Sequence, residues 1–166
     1  MLKLANNNDP ILKQCSEDWD FEKDINAKDF EIDMVQTMVV NKGRGLAANQ
    51  VGIAKRVFAI QLSDQVPFCM FNPAIINTST ELSEAEEGCL SFPSLYLNIK
   101  RSKSITAEYF DRNGNKCIIE LTGIDARCFQ HELDHLNGIC FVSKISPLKL
   151  ALAIKKQRKH NGRTKR

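Results

Sequence analysis

Residues 122–136 read Thr-Gly-Ile-Asp-Ala-Arg-Cys-Phe-Gln-His-Glu-Leu-Asp-His-Leu, and the rest of the chain is best read outward from this stretch. Thr122 followed by Asp125 resembles a capping box, and Ala126–Leu136 then runs without Gly or Pro, which predicts a helix of about three turns. On that helix His131 and His135 stand four positions apart, so their rings share one face and can grip one metal ion. Glu132, one position along, would reach a water at such an ion without being a ligand. A five-residue HExxH pattern also arises by chance on exposed helices. Here, however, two of the three histidines occupy it, and His160, in the polar end of the chain, reads as solvent-exposed.

A hydrolytic site of this type needs three protein ligands and an open position. The longer HExxHxxGxxH pattern is matched through Gly138 but fails at Phe141, which argues against the extended metalloprotease class. No Asp or Glu follows Asp134, and Cys140 lies too close behind His135 to fold back easily, so the third ligand is expected upstream. The six cysteines include no CxxC pair, which points to a reducing compartment rather than to a disulfide framework or a zinc ribbon. Each is most simply a small buried hydrophobe. Cys89 differs in its setting, because Gly88 would let the backbone approach a metal and Leu90 would anchor the turn.

Further from the motif, Phe30, Met34 and Met38, with Val35 and Val39, make the apolar stripe of an amphipathic helix over Lys28–Lys42, and Gly43 is placed to end it. Val57–Leu62 reads as a buried strand; Phe68–Phe71 and Ala74–Asn77 are weaker strands broken at Pro73. Ser104–Phe110 and Lys116–Leu121 form a hairpin about Asn113-Gly114. Ser146-Pro147 opens a C-terminal helix whose apolar face is Leu148, Ala151, Leu152 and Ile154. With 166 residues, 43% of them hydrophobic, and no repeat or linker, the expectation is one catalytic domain over residues 1–154, its last helix starting near 147.

The net charge of +3 is uneven: seven of the 23 basic residues lie in 155–166, leaving 16 against 20 acidic residues, or −4, on the body. Residues 155–166 are therefore read as a basic tail. The N-terminal residues are polar, and no apolar run approaches the roughly 20 residues of a membrane span, so no membrane association is expected. The expected location is the cytoplasm, with an organelle stroma or matrix, or a virus-encoded protein in a bacterial cytoplasm, as variants.

Three segments in order, Gly43-Arg44-Gly45-Leu46-Ala47-Ala48-Asn49-Gln50, Glu87-Gly88-Cys89-Leu90-Ser91 and His131-Glu132-Leu133-Asp134-His135, resemble the three signature motifs of peptide deformylases. The resemblance extends through Pro93, Arg101, Gln130, Asn137-Gly138 and Ser146-Pro147-Leu148, over roughly residues 9–155. It implies an α+β fold, with mixed and antiparallel sheets around a central helix carrying HExxH, plus an N-terminal and a C-terminal helix. It also implies one divalent ion on Cys89, His131 and His135, natively Fe2+, with Zn2+, Ni2+ or Co2+ able to replace it. Glu132 would be general acid and base, and the Gln50 amide and the Leu90 backbone N–H would stabilise the oxyanion. Gly43, Arg44, Gly45, Ile124 and Cys128 would bind the substrate, with Gly45, Ile124, Cys128 and His131 lining an apolar pocket for the first side chain, usually methionine. Glu87 and Arg101 would pair behind the metal ligands. The implied partners are formylmethionyl peptides and nascent chains, met by a monomer, with ribosome contact through the basic tail.

Two positions depart from the commoner pattern: Arg44 stands where an aliphatic residue is frequent, and Asp125 where an apolar one is common. Neither touches the expected ligands or base, so they bear on peptide preference rather than on the reaction. Two rival readings compete with this one. An endopeptidase is opposed by Phe141 and by the Gly43–Gln50 segment. A metal-stabilised module that only binds RNA or ribosomes through residues 155–166 is opposed by Glu132 and by a site one ligand short of closure.

Overall fold

The computed structural model describes residues 1–163, with side chains described to Arg158. Helix α1 (Ala27–Val40) is followed by strands β1 (Gly45–Ala47), β2 (Val57–Ile60), β3 (Phe68–Thr78), β4 (Leu82–Cys89), β5 (Phe92–Ser102), β6 (Ser104–Phe110) and β7 (Lys116–Thr122). Helices α2 (Gly123–Leu136) and α3 (Pro147–Arg163) complete the chain. The architecture is α+β. A five-stranded sheet runs β1-β2-β3-β6-β7, a second sheet pairs β4 with β5, and every strand pair is antiparallel. Among the described residues the single parallel pairing is an isolated bridge between Glu17 and Lys55.

Strand β2, between β1 and β3, is buried on both faces, as its unbroken Val-Phe-Ala-Ile run requires. Val57 and Ala59 join Phe30, Met34 and Met38 of α1, with Trp19 and Phe71, in one core cluster. Phe58 and Ile60 face the other way and pack with Met70, Phe129 and Leu136 beneath α2. Helix α2, whose residues 131–135 carry HExxH, thus lies across one face of the sheet while α1 covers the other. A third cluster places Leu95, Leu97 and Ile99 of β5 on Phe141 and on Leu150 and Ile154 of α3.

Several local expectations are revised. The expected capping box is not formed: Thr122 makes no side-chain cap bond, the helix already begins at Gly123, and Asp125 is engaged elsewhere. Helix α1 ends with the left-handed turn at Lys42 (φ 58) rather than at Gly43. Gly43 lies instead close against Leu90, since a Cβ there would sit 2.8 Å from the Leu90 side chain and displace it. Val39 is exposed rather than part of the stripe. β3 runs straight through Pro73 because a bulge between Phe71 and Ala74 takes the proline out of the ladder. At the bulge Asn72 (φ 48) accepts from Trp19 N–H and donates to Trp19 O, tying the N-terminal segment to the sheet. Residues 155–163, read as a tail, continue α3; the environment of His160 lies outside the described side chains. Among the cysteines expected to be buried, Cys15 is exposed, and Cys117 and Cys128 are only half-buried.

Candidate active site

Arg127, His131 and His135 recur every fourth residue on α2, and together with Glu132 they are buried where α2 meets the β4–β5 ribbon. This polar stripe on an otherwise core-facing helix meets Cys89 at the end of β4, where a register shift between Gly88 and Cys89 precedes the turn through Leu90 and Ser91. The Tyr96 ring packs over Gly88, where a Cβ would come within 2.8 Å of it and displace it. One ligand atom from each of Cys89, His131 and His135 lies within 4.8 Å of the others. The Cys89 sulfur is 3.3 Å from His135 Nε2, and the two imidazole rings are 5.0 Å apart at 68°.

One thiol and two imidazoles suit Fe2+, Zn2+, Ni2+ or Co2+, and three ligands leave a coordination position open, so these residues fit a catalytic ion. Burial, with the charges of His131 and Arg101, pushes the pKa of His135 well below its ordinary value, so its ring is neutral. Burial alone would lower His131 as well, but its bonds to Cys89 and Glu87 outweigh that and raise it to about 10. Loading an ion there therefore releases a proton.

Glu87 braces the ligands from behind. Its Oε1 accepts from Arg101 Nε (2.6 Å) and Arg127 Nη1 (2.7 Å), and its Oε2 faces Arg101 Nη2 (2.8 Å) and His131 Nδ1 (2.9 Å). With the Nδ1 proton held by the carboxylate, His131 is left with Nε2 as its free ligand atom. Burial would raise the Glu87 pKa, but bonds from His131 and Arg101 override it and bring it down to about 2. Asp134 extends the cluster, accepting from Arg101 Nη1 at 2.7 Å and pairing with Lys144 at 2.9 Å. The Glu87–Arg101 pair is therefore a bidentate contact in the interior, with each side chain no more than 5% exposed.

Glu132 is buried with Oε2 lacking any hydrogen-bond partner. Burial raises its pKa to about 7, against the opposing pull of His131 and Arg101. Gly45 lies directly on this carboxylate, where any Cβ would collide with it. Gln50 is oriented from both ends: Oε1 accepts from Ala47 N–H at 2.9 Å, while Nε2 faces Ser91 Oγ at 3.2 Å and the Cys89 sulfur at 3.3 Å. One amide N–H thus serves Ser91 and the other is aimed at the donor triad.

A cleft of about 740 Å³ opens in front of these groups. Its lining includes Gly43, Arg44 and Gly45 at the start of β1, Cys89 and Leu90 at the end of β4, and Ile124, Cys128, His131 and Glu132 of α2. All thirteen residues singled out in the sequence come together: eleven line the cleft wall with Gln50 and Glu87 among them, and Arg101 and His135 lie behind. Sequence reasoning missed Arg127, Asp134, Ser91 and Tyr96. A signal for Arg127 existed, since a cation four residues before His131 falls on the same helical row. Asn49 was also passed over; its Nδ2 donates to the His135 carbonyl at 2.5 Å, holding the C-terminal end of α2 against the turn after β1.

A sequence profile described as polypeptide deformylase matches residues 1–151. The peptide deformylase of Rhizobium meliloti is 39% identical over 152 residues, covering 89% of this chain and 87% of that protein. The crystal structure of peptide deformylase from Thermotoga maritima superposes with a TM-score of 0.83 at 40% identity, covering 89% of this chain and 99% of that one. That of a Synechococcus elongatus peptide deformylase in complex with actinonin gives 0.86 at 37% identity, covering 94% and 87%.

Proposed function

The chain belongs to the polypeptide deformylase family and is a deformylase, and from that premise we propose that it hydrolyses the N-terminal formyl group of formylmethionyl nascent chains to formate and a free amine. Cys89, His131 and His135 hold one divalent ion in this reading, Fe2+ natively, with Zn2+, Ni2+ or Co2+ accepted by the same donors. When bound, the ion supplies Lewis acidity that makes a water nucleophilic near neutral pH. Glu132 takes the proton released as water adds to the formyl carbon and passes it to the amine nitrogen as the C–N bond breaks. A carboxyl group with a pKa of about 7 is suited to both transfers.

Gln50 Nε2 and the Leu90 N–H donate to the formyl oxygen as negative charge builds on it. Because Ala47 and Ser91 already hold the Gln50 amide, it needs little reorganisation to do so. Gly43, Arg44 and Gly45 offer their backbone to an extended peptide, and Ile124 and Cys128 receive the first side chain. Glu87, supported by Arg101, keeps His131 in the ligating tautomer. The observation that carries the reading is Glu132, a buried carboxylate with an unpartnered oxygen beside three convergent donors at a cleft.

The test is formate release from formyl-Met-Ala-Ser by protein purified without oxygen, beside a Glu132→Ala variant of measured metal content. Release lost in the variant while the metal is retained supports the assignment. No release from metal-loaded, folded wild-type protein on several formyl peptides would sink it and favour a ribosome-binding module without activity.

The same reading places a monomer in the cytoplasm, brought to ribosomes by the basic end of α3, where Lys155, Lys156 and Arg158 precede Lys159 and Arg163. Phosphate contacts of that kind weaken as salt rises. Deleting residues 155–166 is expected to reduce co-sedimentation with ribosomes across a salt series; unchanged binding would remove the idea.

A further inference from the structure

Arg44 and Asp125 are 81 residues apart in sequence and meet in space. Arg44 Nη2 donates to Asp125 Oδ1 at 2.8 Å and to the Gln61 carbonyl at 3.1 Å. The Asp125 carboxylate also accepts from the Ser63 backbone N–H at 3.1 Å and from the Ser63 hydroxyl at 3.0 Å. One ion pair thereby joins the segment entering β1, the loop after β2 and the first turn of α2. A carboxylate is favoured in that turn by the helix dipole. Arg44 and Ile124, the chain neighbour of Asp125, both line the cleft, so the pair stands at its edge. The Arg44 side chain is 45% exposed and that of Asp125 18%.

We propose that Arg44 and Asp125 form a latch across the cleft rim that sets its width and hence the selectivity for the first side chain of the formylated peptide. The inference rests on the deformylase reading above. Two apolar residues at these positions would close the rim by burial, which salt does not weaken. Here the closure is made by charge: the pinned guanidinium fixes the course of the methylene stem, and the stem supplies the apolar wall. Released from Asp125, the long side chain swings into solvent and the wall opens. Arg44 and Asp125 are positioning residues in this scheme, and neither takes part in proton transfer.

The test compares holoenzyme forms carrying Arg44→Leu, Asp125→Leu, both changes, or Asp125→Asn, which keeps an acceptor for Ser63 if the leucine variant fails to fold. The readout is the ratio of kcat/KM for formyl-Met-Ala-Ser to that for formyl-Phe-Ala-Ser. Each single change is expected to lower this ratio roughly 2- to 5-fold, the size expected of a half-exposed ion pair. The Leu–Leu double variant should recover it. Raising salt should lower the wild-type ratio and leave that of the double variant unchanged, since screening acts only on the charged latch. Additive losses in the double variant, or single variants that keep the wild-type ratio at every salt concentration, would overturn the latch while leaving the deformylase reading intact. A wild-type enzyme that releases no formate from any formyl peptide would overturn both.

Discussion

Between Ser104 and Thr122 the chain doubles back through a tight turn, and the Glu108–Lys116 pair on this ribbon, at 2.7 Å, stands 34% and 54% exposed. Between Leu82 and Ser102 it doubles back again, but there Glu87 and Arg101 meet at 2.6 Å in the interior with Arg127 and His131 on the same carboxylate. The first ribbon is an extension of the main sheet, shaped by its turn. The second is a separate two-stranded unit, and two strands alone are marginal in water. Its position comes from Leu95, Leu97 and Ile99 packing under α3, and from the ionic cluster that bolts β4 to α2. The ribbon that carries Cys89 is thus the one fixed by buried charge, so the same contacts that stabilise it also align the ligand atoms.

The largest expected effect follows from cutting that cluster. Glu87→Ala leaves the Arg101 and Arg127 guanidiniums buried without their shared carboxylate and should destabilise the fold by about 3–5 kcal/mol. Glu108→Ala, the matching change on the other ribbon, should cost less than about 1 kcal/mol. Urea unfolding of the two variants measures the contrast, and metal content should fall for Glu87→Ala alone because His131 loses the acceptor of its Nδ1 proton. Equal destabilisation by the two substitutions would break the distinction between the ribbons.

That distinction also marks what could be read in the sequence. The β6–β7 hairpin is legible because Asn113-Gly114 signals a turn and Gly114 indeed takes φ 80. Helix α2 is legible from the run without Gly or Pro over Ala126–Leu136, although the capping box expected at its start does not form. The β4–β5 ribbon was not identified. β4, Leu-Ser-Glu-Ala-Glu-Glu-Gly-Cys, is poor in strand-forming residues and becomes a strand only by pairing with β5. β5 did carry a signal, the alternation of Leu95, Leu97, Ile99 and Arg101, all of them buried. The last of these is charged, which hid the end of the pattern. The candidate ligand set, whose donor atoms converge, was reachable because the family resemblance selected Cys89 among six cysteines. Arg127 and the meeting of Arg44 with Asp125 depend on how α2 lies against β1 and the ribbon, which local pattern does not specify.

The smallest effect sharpens the comparison from the other side. Asp111 opens the β6–β7 turn, and its carboxylate accepts from the Asn113 N–H at 2.8 Å, the Asn115 N–H at 2.9 Å and the Asn115 side-chain amide at 3.0 Å. Slight desolvation would raise its pKa, but the bonds from Asn115 and Asn113 outweigh it, so the folded value lies below the ordinary 3.8. A depressed carboxyl contributes stability that is present above 3.8 and is lost as pH falls through the folded value. Asp111→Asn keeps one acceptor oxygen and removes the charge, so it should cost less than about 1 kcal/mol at neutral pH. The gap between wild type and variant in urea midpoint should narrow as pH falls below 3.8 and then close. A gap that stays constant through the acid range would mean that the turn is held by its backbone geometry rather than by the charge of Asp111.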